Sequence, residues 1–385
     1  MNSDLNLIMV PTTKCNLACR HCFEGRSNRV MSDSELQVVI RKVYEYSDTH
    51  HIDKVVLYWQ GGEVFTLGPS WFERMDEIVS QVFDSGTIRV RHRIQSNLIS
   101  YTSKWKPIIK KTFQNSIGSS LDYPSLYRGF PTTKKEQFNG IWLKYCDRAR
   151  SDGIDVSVIS VLNKDSLEIP TIEFLKFYST GMGISNMQLN FPFDLHSHFG
   201  SESSFFLNPS ELGKFLVDLF DTWIDESSSW YRKLHINPFC ELIDVFAFAP
   251  RPSRCNCIWS GNCADSFFSI GPDSSVGLCD CWVTSLPEFS FGNLQTQTLD
   301  EISHSPVRKK FAHRIKSVME SECADCPFLS ICFGGCIIRS YGNNGTILGK
   351  DPYCEAYKML FSRVQRYVRS TNISGGNHAE AKRTE

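Results

Sequence analysis

The chain has 385 residues, 41% hydrophobic and 22% charged, which are globular proportions and enough length for two or three domains. A formal net charge of −1 gives no basic field to attract nucleic acid and no acidic excess to keep the chain disordered. No apolar run approaches the ~20 residues that span a bilayer, and Met1–Val10 lacks the basic and apolar regions of a signal peptide. A cytoplasmic protein without membrane or nucleic-acid partners is expected.

Short apolar runs at Asn6–Val10 and Lys54–Tyr58 have strand character, and Ser34–Tyr46 and Trp71–Phe83 space their apolar residues as helices do. Further strands are expected at Arg91–Gln95, Asn115–Ser119, Asp155–Val161 and Asn186–Asn190, with a helix over Phe138–Ser151. This βα rhythm predicts an α/β fold built on a parallel sheet, open or curled into a barrel, with ligands at the carboxyl ends of the strands. Phe206–Trp223 reads as an amphipathic helix with Pro209 in an early turn. Glu241–Pro252 reads as a helix or linker and Glu355–Val368 as a last helix; the polar residues from about Ser370 are expected to be disordered.

Fifteen cysteines are too many for casual use in a compartment that keeps thiols reduced, so metal ligation is the expected role. Cys15, Cys19 and Cys22 form a tight triad just after the first strand. Three thiolates there can hold three irons of a 4Fe–4S cluster and leave the fourth iron open to a ligand. A zinc site completed by His21 is the plainer alternative. Near the other end, Cys323, Cys326, Cys332 and Cys336 form a C-x2-C-x5-C-x3-C run, with Cys354 beyond them; zinc ribbons are the alternative there. Cys146 and Cys240 read as small buried apolar residues.

The triad resembles the signature of the radical S-adenosylmethionine (SAM) superfamily, with His21 standing where an aromatic residue is usual. That resemblance implies a partial (β/α)6-type barrel that binds SAM at the open iron and cleaves it to a 5′-deoxyadenosyl radical. Gln60-Gly61-Gly62-Glu63 resembles the family's Gly-Gly-Glu, where Glu63 would accept from the SAM ammonium; a plain strand-to-helix turn is the alternative. Gln95-Ser96-Asn97 is similar to the family's Gln-Thr-Asn. Ser120-Leu121-Asp122 with Arg128 resembles the Ser-x-Asp and downstream Arg that touch the SAM ribose and carboxylate. These last two could instead be ordinary polar strand ends.

The C-terminal cysteines resemble the SPASM domain, a twin-cluster extension of radical SAM enzymes, although Ser274 stands where that family has Gly. The resemblance is to anaerobic sulfatase maturases and to the ribosomal-peptide maturases built like them. It implies a core over residues 1–225, a linker or bridging helix over 226–255, a SPASM domain over 256–368 and a tail over 369–385. Carried over by position, one auxiliary cluster takes Cys257, Cys263, Cys279 and Cys336, and the second takes Cys323, Cys326, Cys332 and Cys354. With the SAM-binding cluster that makes three 4Fe–4S clusters, fed by an external donor such as flavodoxin or ferredoxin. Cys255 and Cys281 are surplus and compete for ligation, Cys255 most directly with Cys257. Asp280 stands where sulfatase maturases place the base that deprotonates the substrate; capping a backbone amide is its alternative role.

The substrate implied is a peptide or protein. Sulfatase maturases usually carry Cys-x-Tyr and Gly-Gly-Glu-Pro, whereas this chain has Cys22-Phe23-Glu24-Gly25 and Val64 after Glu63. Those departures favour crosslinking or oxidation of a ribosomal precursor peptide over oxidation of a sulfatase Cys or Ser to formylglycine. With only fourteen residues before Cys15, no winged leader-binding domain is expected there. A colourless zinc-binding interaction protein is the reading from another class.

Overall fold

The computed structural model describes residues 4–84, 86–125, 127–130, 137–193, 195, 205–225, 227, 230–248, 259 and 263–371. The chain forms two compact units, one of residues 1–160 with 262–313 and the other of 161–261 with 314–385. Among the described residues no helix is long and apolar enough to cross a membrane.

In the first unit the alternation read from the sequence becomes strands β1 Asp4–Met9, β2 Lys54–Trp59, β3 Arg89–Ser96, β4 Ser116–Ser120 and β5 Asp155–Val161. Helices Asp33–Thr49, Pro69–Val82, Lys106–Thr112 and Phe138–Ser151 connect them. In β1 the period-2 pattern buries Leu5, Leu7 and Met9 and leaves the intervening residues partly exposed. The first long helix starts where Ser32 caps the Glu35 amide and Glu35 returns the bond, a capping box that satisfies two otherwise orphaned donors. Strands β1 to β5 pair in parallel and in chain order.

Three short strands extend the other edge: β8 Phe267–Ile270, β9 Ser275–Gly277 and β10 Gly292–Asn293. Strand β8 pairs in parallel with β1, Asn6 opposite Phe267 and Met9 opposite Ile270, and β9 and β10 follow antiparallel. The sheet of this unit therefore runs β10-β9-β8-β1-β2-β3-β4-β5 and does not close, a partial barrel. Its core includes Trp59, Phe72, Trp105 and Phe113, with Phe72 meeting each of the other three rings edge to face. That rigid layer fixes the carboxyl ends of β1 to β4, from which the candidate site is built.

The second unit holds β6 Asn186–Asn190 and β7 His235–Asn237, a parallel pair. Helix Pro209–Ile224 begins with Asn208 accepting from Ser210 N and Glu211 N, with Pro209 at a position that needs no donor. It buries Leu212, Phe215, Leu216 and Leu219 and packs against helix Cys354–Ser370, which buries Leu360, Phe361 and Val364. Gly213 lies under Met359, where a side chain would have no space. Helix Phe239–Ala247 covers part of the span read as a helix or linker; residues 249–258, including Cys255 and Cys257, lie outside the described residues.

Candidate active site

Strand β1 delivers the chain to Cys15 through Val10–Lys14, and the triad loop is pinned from the far side. Ala18 N donates to Gly129 O at 2.8 Å and Arg20 N to Tyr127 O at 2.7 Å, so the loop is tied to the segment that follows β4. Leu17 N donates to Cys15 Sγ at 3.4 Å. Burial, then the charges around it, pushes the Cys15 thiol up to about 11 and the Cys22 thiol up to about 12. Sulfur ligates as the thiolate, so a buried array of this kind gains its charge back only from a cation. The three thiols of Cys15, Cys19 and Cys22 on one fixed loop fit an iron–sulfur cluster.

The glycine turn after β2 is packed directly on the backbone that leads into the triad. Gly62 N donates to Thr12 O at 3.1 Å and Glu63 N to Lys14 O at 2.8 Å. A Cβ on Gly61, whose φ is 137°, would fall 2.5 Å from Thr12 O, and one on Gly62 would collide with Thr13 O and Lys14 O. Close approach of two backbones, ending one residue before Cys15, is what demands glycine here.

Glu63 is 2% exposed, and its carboxylate accepts from three protein donors: Phe65 N at 2.9 Å, Ser96 Oγ at 2.7 Å and Asn97 N at 2.7 Å. Burial raises its pKa while these donors pull it back. Asn97 Nδ2 in turn donates to Asn16 Oδ1 at 2.7 Å, and Asn16 Nδ2 to Ser100 Oγ at 3.0 Å. Glu63 thus clasps the end of β3, and β3 holds the residue next to Cys15. About one of a carboxylate's four lone-pair positions is left over.

At the next strand Gln95 Nε2 donates to Ser120 Oγ at 3.1 Å, and Gly118 leaves the room that Gln95 Oε1 occupies. Beyond β4, Asp122 and Arg128 bind each other, Nε to Oδ2 at 3.0 Å and Nη2 to Oδ1 at 3.3 Å, both nearly buried. Arg128 Nη2 lies 3.3 Å from His21 Nε2 and Nη1 lies 4.0 Å from Cys19 Sγ, while His21 Nε2 is 3.7 Å from Asp122 Oδ2. His21 is therefore wired to the Asp122–Arg128 pair from inside the triad, a role that its sequence position alone did not reveal. Asp122 and the nearby thiols hold the Arg128 guanidinium firmly charged despite its burial.

Asp280 begins the helix Asp280–Ser285 just beyond β9. Its Oδ2 accepts from Gln60 Nε2 at 2.6 Å and its Oδ1 from Cys281 N at 3.0 Å. The candidate base thus caps a backbone amide and also faces the residue that opens the glycine turn. Cys279 Sγ lies 3.5 Å from Cys281 Sγ, and Asp280 offers an oxygen to the same small cluster.

The segment after the triad docks on this helix. Ser285 Oγ donates to Phe23 O, and Gly25 leaves no room for a Cβ against Thr284 O. Glu24 is carried in with it. Its Oε2 is buried with no hydrogen-bond partner, and burial followed by the Asp280 charge pushes its carboxyl up to about 8. Burial likewise raises Asp280. Two buried carboxyl groups in one place hold a proton between them readily. Glu24 was absent from the sequence-derived site; its only signal was the departure from Cys-x-Tyr.

In the second unit Cys323, Cys326, Cys332 and Cys354 line one small cavity, closed by Phe328, Leu329 and Phe361. Burial, then Asp351 and Cys354, pushes Cys332 up to about 12, and burial raises Cys354 as well. Four convergent thiols in an apolar shell are a donor set for a second cluster with every position filled by protein. Cys263 and Cys279 belong to the first unit and Cys336 to the second. Cys146 is fully buried on the inner face of helix Phe138–Ser151.

Residues 257–327 match the SPASM family, described as an iron–sulfur cluster-binding domain. A cysteine-type anaerobic sulfatase-maturating enzyme of Clostridium novyi is 26% identical over 94% of this chain and 96% of its own length. A serine-type enzyme of Bacteroides thetaiotaomicron is 24% identical over 92% of this chain and 87% of its own. Among solved structures, native anSMEcpe with bound AdoMet and Cp18Cys peptide superposes with a TM-score of 0.79 at 22% identity, covering 96% of this chain and 98% of that one. Streptococcus suis SuiB bound to its precursor peptide SuiA gives 0.60 at 16%, covering 91% and 75%. These comparisons reverse the order drawn from Glu24 and Val64, because similarity to the sulfatase maturases spans nearly the whole chain and likeness to SuiB is more distant.

Proposed function

We propose that the chain is a radical SAM enzyme with a SPASM domain, a maturase that uses SAM and iron–sulfur clusters and oxidises a Cys or Ser of a sulfatase to formylglycine. The observation that carries this reading is similarity to both cysteine-type and serine-type sulfatase-maturating enzymes along more than nine-tenths of the chain. Bound SAM, reduced by its cluster, would supply the radical that removes one hydrogen from the substrate Cβ.

The chain's own residues would then do four things. Cys15, Cys19 and Cys22 hold the cluster loop, and Gly61, Gly62 and Glu63 with Asn97 set its position. Gln95, Ser120, Asp122 and Arg128 flank the carboxyl ends of the strands, where SAM would lie. Asp280, steered by Gln60, takes the proton of the substrate hydroxyl or thiol as the second electron leaves. The SPASM cysteines Cys257, Cys263, Cys279 and Cys336, and Cys323, Cys326, Cys332 and Cys354, would hold two further clusters able to take up that electron, three clusters in all. An external flavodoxin or ferredoxin restores the reduced state.

The test is anaerobic incubation of the reconstituted enzyme with SAM, a low-potential reductant and sulfatase peptides bearing Cys or Ser, read by mass spectrometry and carbonyl labelling. Formation of 5′-deoxyadenosine with no aldehyde in either peptide would reject the reading. A second reading, modification of a ribosomal precursor peptide, draws on Glu24 and Val64 and predicts that such a peptide is altered where the sulfatase peptides are not.

A further inference from the structure

Asp351 lies between helix Ile337–Asn344 and helix Cys354–Ser370 and is 1% exposed. Its Oδ2 accepts from Cys336 N at 2.8 Å, from Arg339 Nε at 2.9 Å and from the Tyr357 hydroxyl at 2.9 Å, and it lies 2.8 Å from Arg339 Nη2. Its Oδ1 accepts from Tyr353 N at 3.0 Å. The backbone is engaged as fully: Asp351 N donates to Gly334 O at 2.8 Å, and Asp351 O accepts from Cys354 N at 3.1 Å. Gly335, with φ 70°, has no room for a Cβ against the Asp351 side chain.

The Arg339 guanidinium that answers Asp351 is itself enclosed. It donates through Nη2 to the Tyr357 hydroxyl at 2.9 Å and sits 5.6 to 5.7 Å from the ring centres of Phe191, Phe193 and Tyr353. Asp351 and Tyr357 also line the cavity of Cys323, Cys326, Cys332 and Cys354. One carboxylate therefore touches the backbone of Cys336 and the wall of the four-cysteine cavity.

A buried ion pair is weak grounds for stability, since apolar residues of similar volume commonly do as well. Hydrogen bonds and charge beside a cluster do set its reduction potential, and residues behind the ligands fix their orientation. The SPASM resemblance implies Cys336 as a ligand of one auxiliary cluster and Cys354 as a ligand of the other. We propose that Asp351 is a positioning residue that joins the ligand segments of both auxiliary clusters, so that their potentials respond together to a change at this carboxylate. The proposal rests on the twin-cluster reading of the SPASM cysteines.

The experiment uses the full chain with Cys15, Cys19 and Cys22 replaced by Ala, so that only auxiliary clusters remain. Iron and sulfide content, the paramagnetic resonance of the reduced clusters and their midpoint potentials are measured in Asp351→Asn and in Tyr357→Phe. Removing the carboxylate charge raises both potentials. Removing the Tyr357 donor leaves the carboxylate less compensated and lowers both, so the two variants shift them in opposite directions at full iron content.

Tyr357→Phe with full iron and unmoved potentials, or with only one cluster displaced, overturns the proposal. Should Asp351→Asn lose its iron, Tyr357→Phe still decides the matter. Iron near four or less in the parent without the triad would instead overturn the twin-cluster reading itself.

Discussion

Gln60 Nε2 donates to Asp280 Oδ2 at 2.6 Å, which joins the residue opening the glycine turn to the carboxylate that follows Cys279. The two are 220 residues apart in sequence. Because the same turn is bonded to the backbone entering the cysteine triad, Asp280 is held in a fixed relation to the triad loop rather than on a free helix end. A base must lie within hydrogen-bond reach of the proton it takes, and such a latch supplies that kind of placement.

Asp280→Asn is therefore expected to keep its iron and to cleave SAM while making little product. Asn can still accept from Cys281 N, and Gln60 can turn its amide to match, so the local fold survives. Loss of a general base costs roughly a hundredfold or more. The ratio of modified peptide to 5′-deoxyadenosine is the measurement, and a wild-type ratio at full iron would leave Asp280 only its capping role.

Iron analysis separates the cluster assignments. Three 4Fe–4S clusters require about twelve irons per chain, and replacing Cys15, Cys19 and Cys22 by Ala should leave about eight and abolish SAM cleavage. Stoichiometric zinc, or iron near four in the reconstituted wild type, would contradict this count.

Arg128 and Asp122 are each under 10% exposed and compensate one another. Arg128→Ala strands a buried carboxylate beside His21, which should cost about 3 to 5 kcal/mol. The double change Arg128→Ala with Asp122→Ala should lose less than the single change, because no charge is left unpaired. Denaturant midpoints of the two variants give the comparison; a double variant less stable than the single one would show that the pair does more than compensate itself.

The strands β1 to β6 were legible because each carries enough apolar residues to show alternation or a buried run between turns. Three of the later strands were not. His235–Asn237 and Gly292–Asn293 are too short to show a period, and Phe267–Ile270 joins β1 from far along the chain. The cysteines were legible as spacing, whereas Glu24 and His21 were not, since their partners Asp280, Asp122 and Arg128 are brought to them by the sheet. Sequence offers no local signal for a pairing across 107 residues, the separation of His21 and Arg128.

Ser274 shows a mixed case, its place in a turn being readable and its conformation not. It has φ 66° and is fully buried, with Gln295 Nε2 donating to its hydroxyl at 2.9 Å. The left-handed backbone costs a side chain about 1 kcal/mol and costs glycine nothing. Both Ser274→Ala and Ser274→Gly lose the bond to Gln295, yet only glycine relieves the strain. The glycine variant should therefore be the more stable by about 1 kcal/mol, and equal midpoints in chemical denaturation would contradict that.

His92 on β3 predicts the acid side of the stability profile. Its Nδ1 accepts from Trp59 Nε1 at 3.0 Å, its ring stacks near Trp59 and meets the edge of Phe113, and Asp76 is the charge that faces it. Burial pulls its pKa down to about 4, against Asp76, which raises it. Unfolded, the ring titrates near 6.5, so between these values the unfolded chain binds the extra proton and stability falls as the pH is lowered. The loss is absent above about pH 7 and reaches about 2 kcal/mol at about pH 5 for this one group. Measured as the difference between wild type and His92→Gln in denaturant midpoints across that range, acid lability of the clusters cancels. A difference that stays constant with pH would show that His92 takes up its proton as readily folded as unfolded, and that the Trp59 bond does not hold the ring neutral.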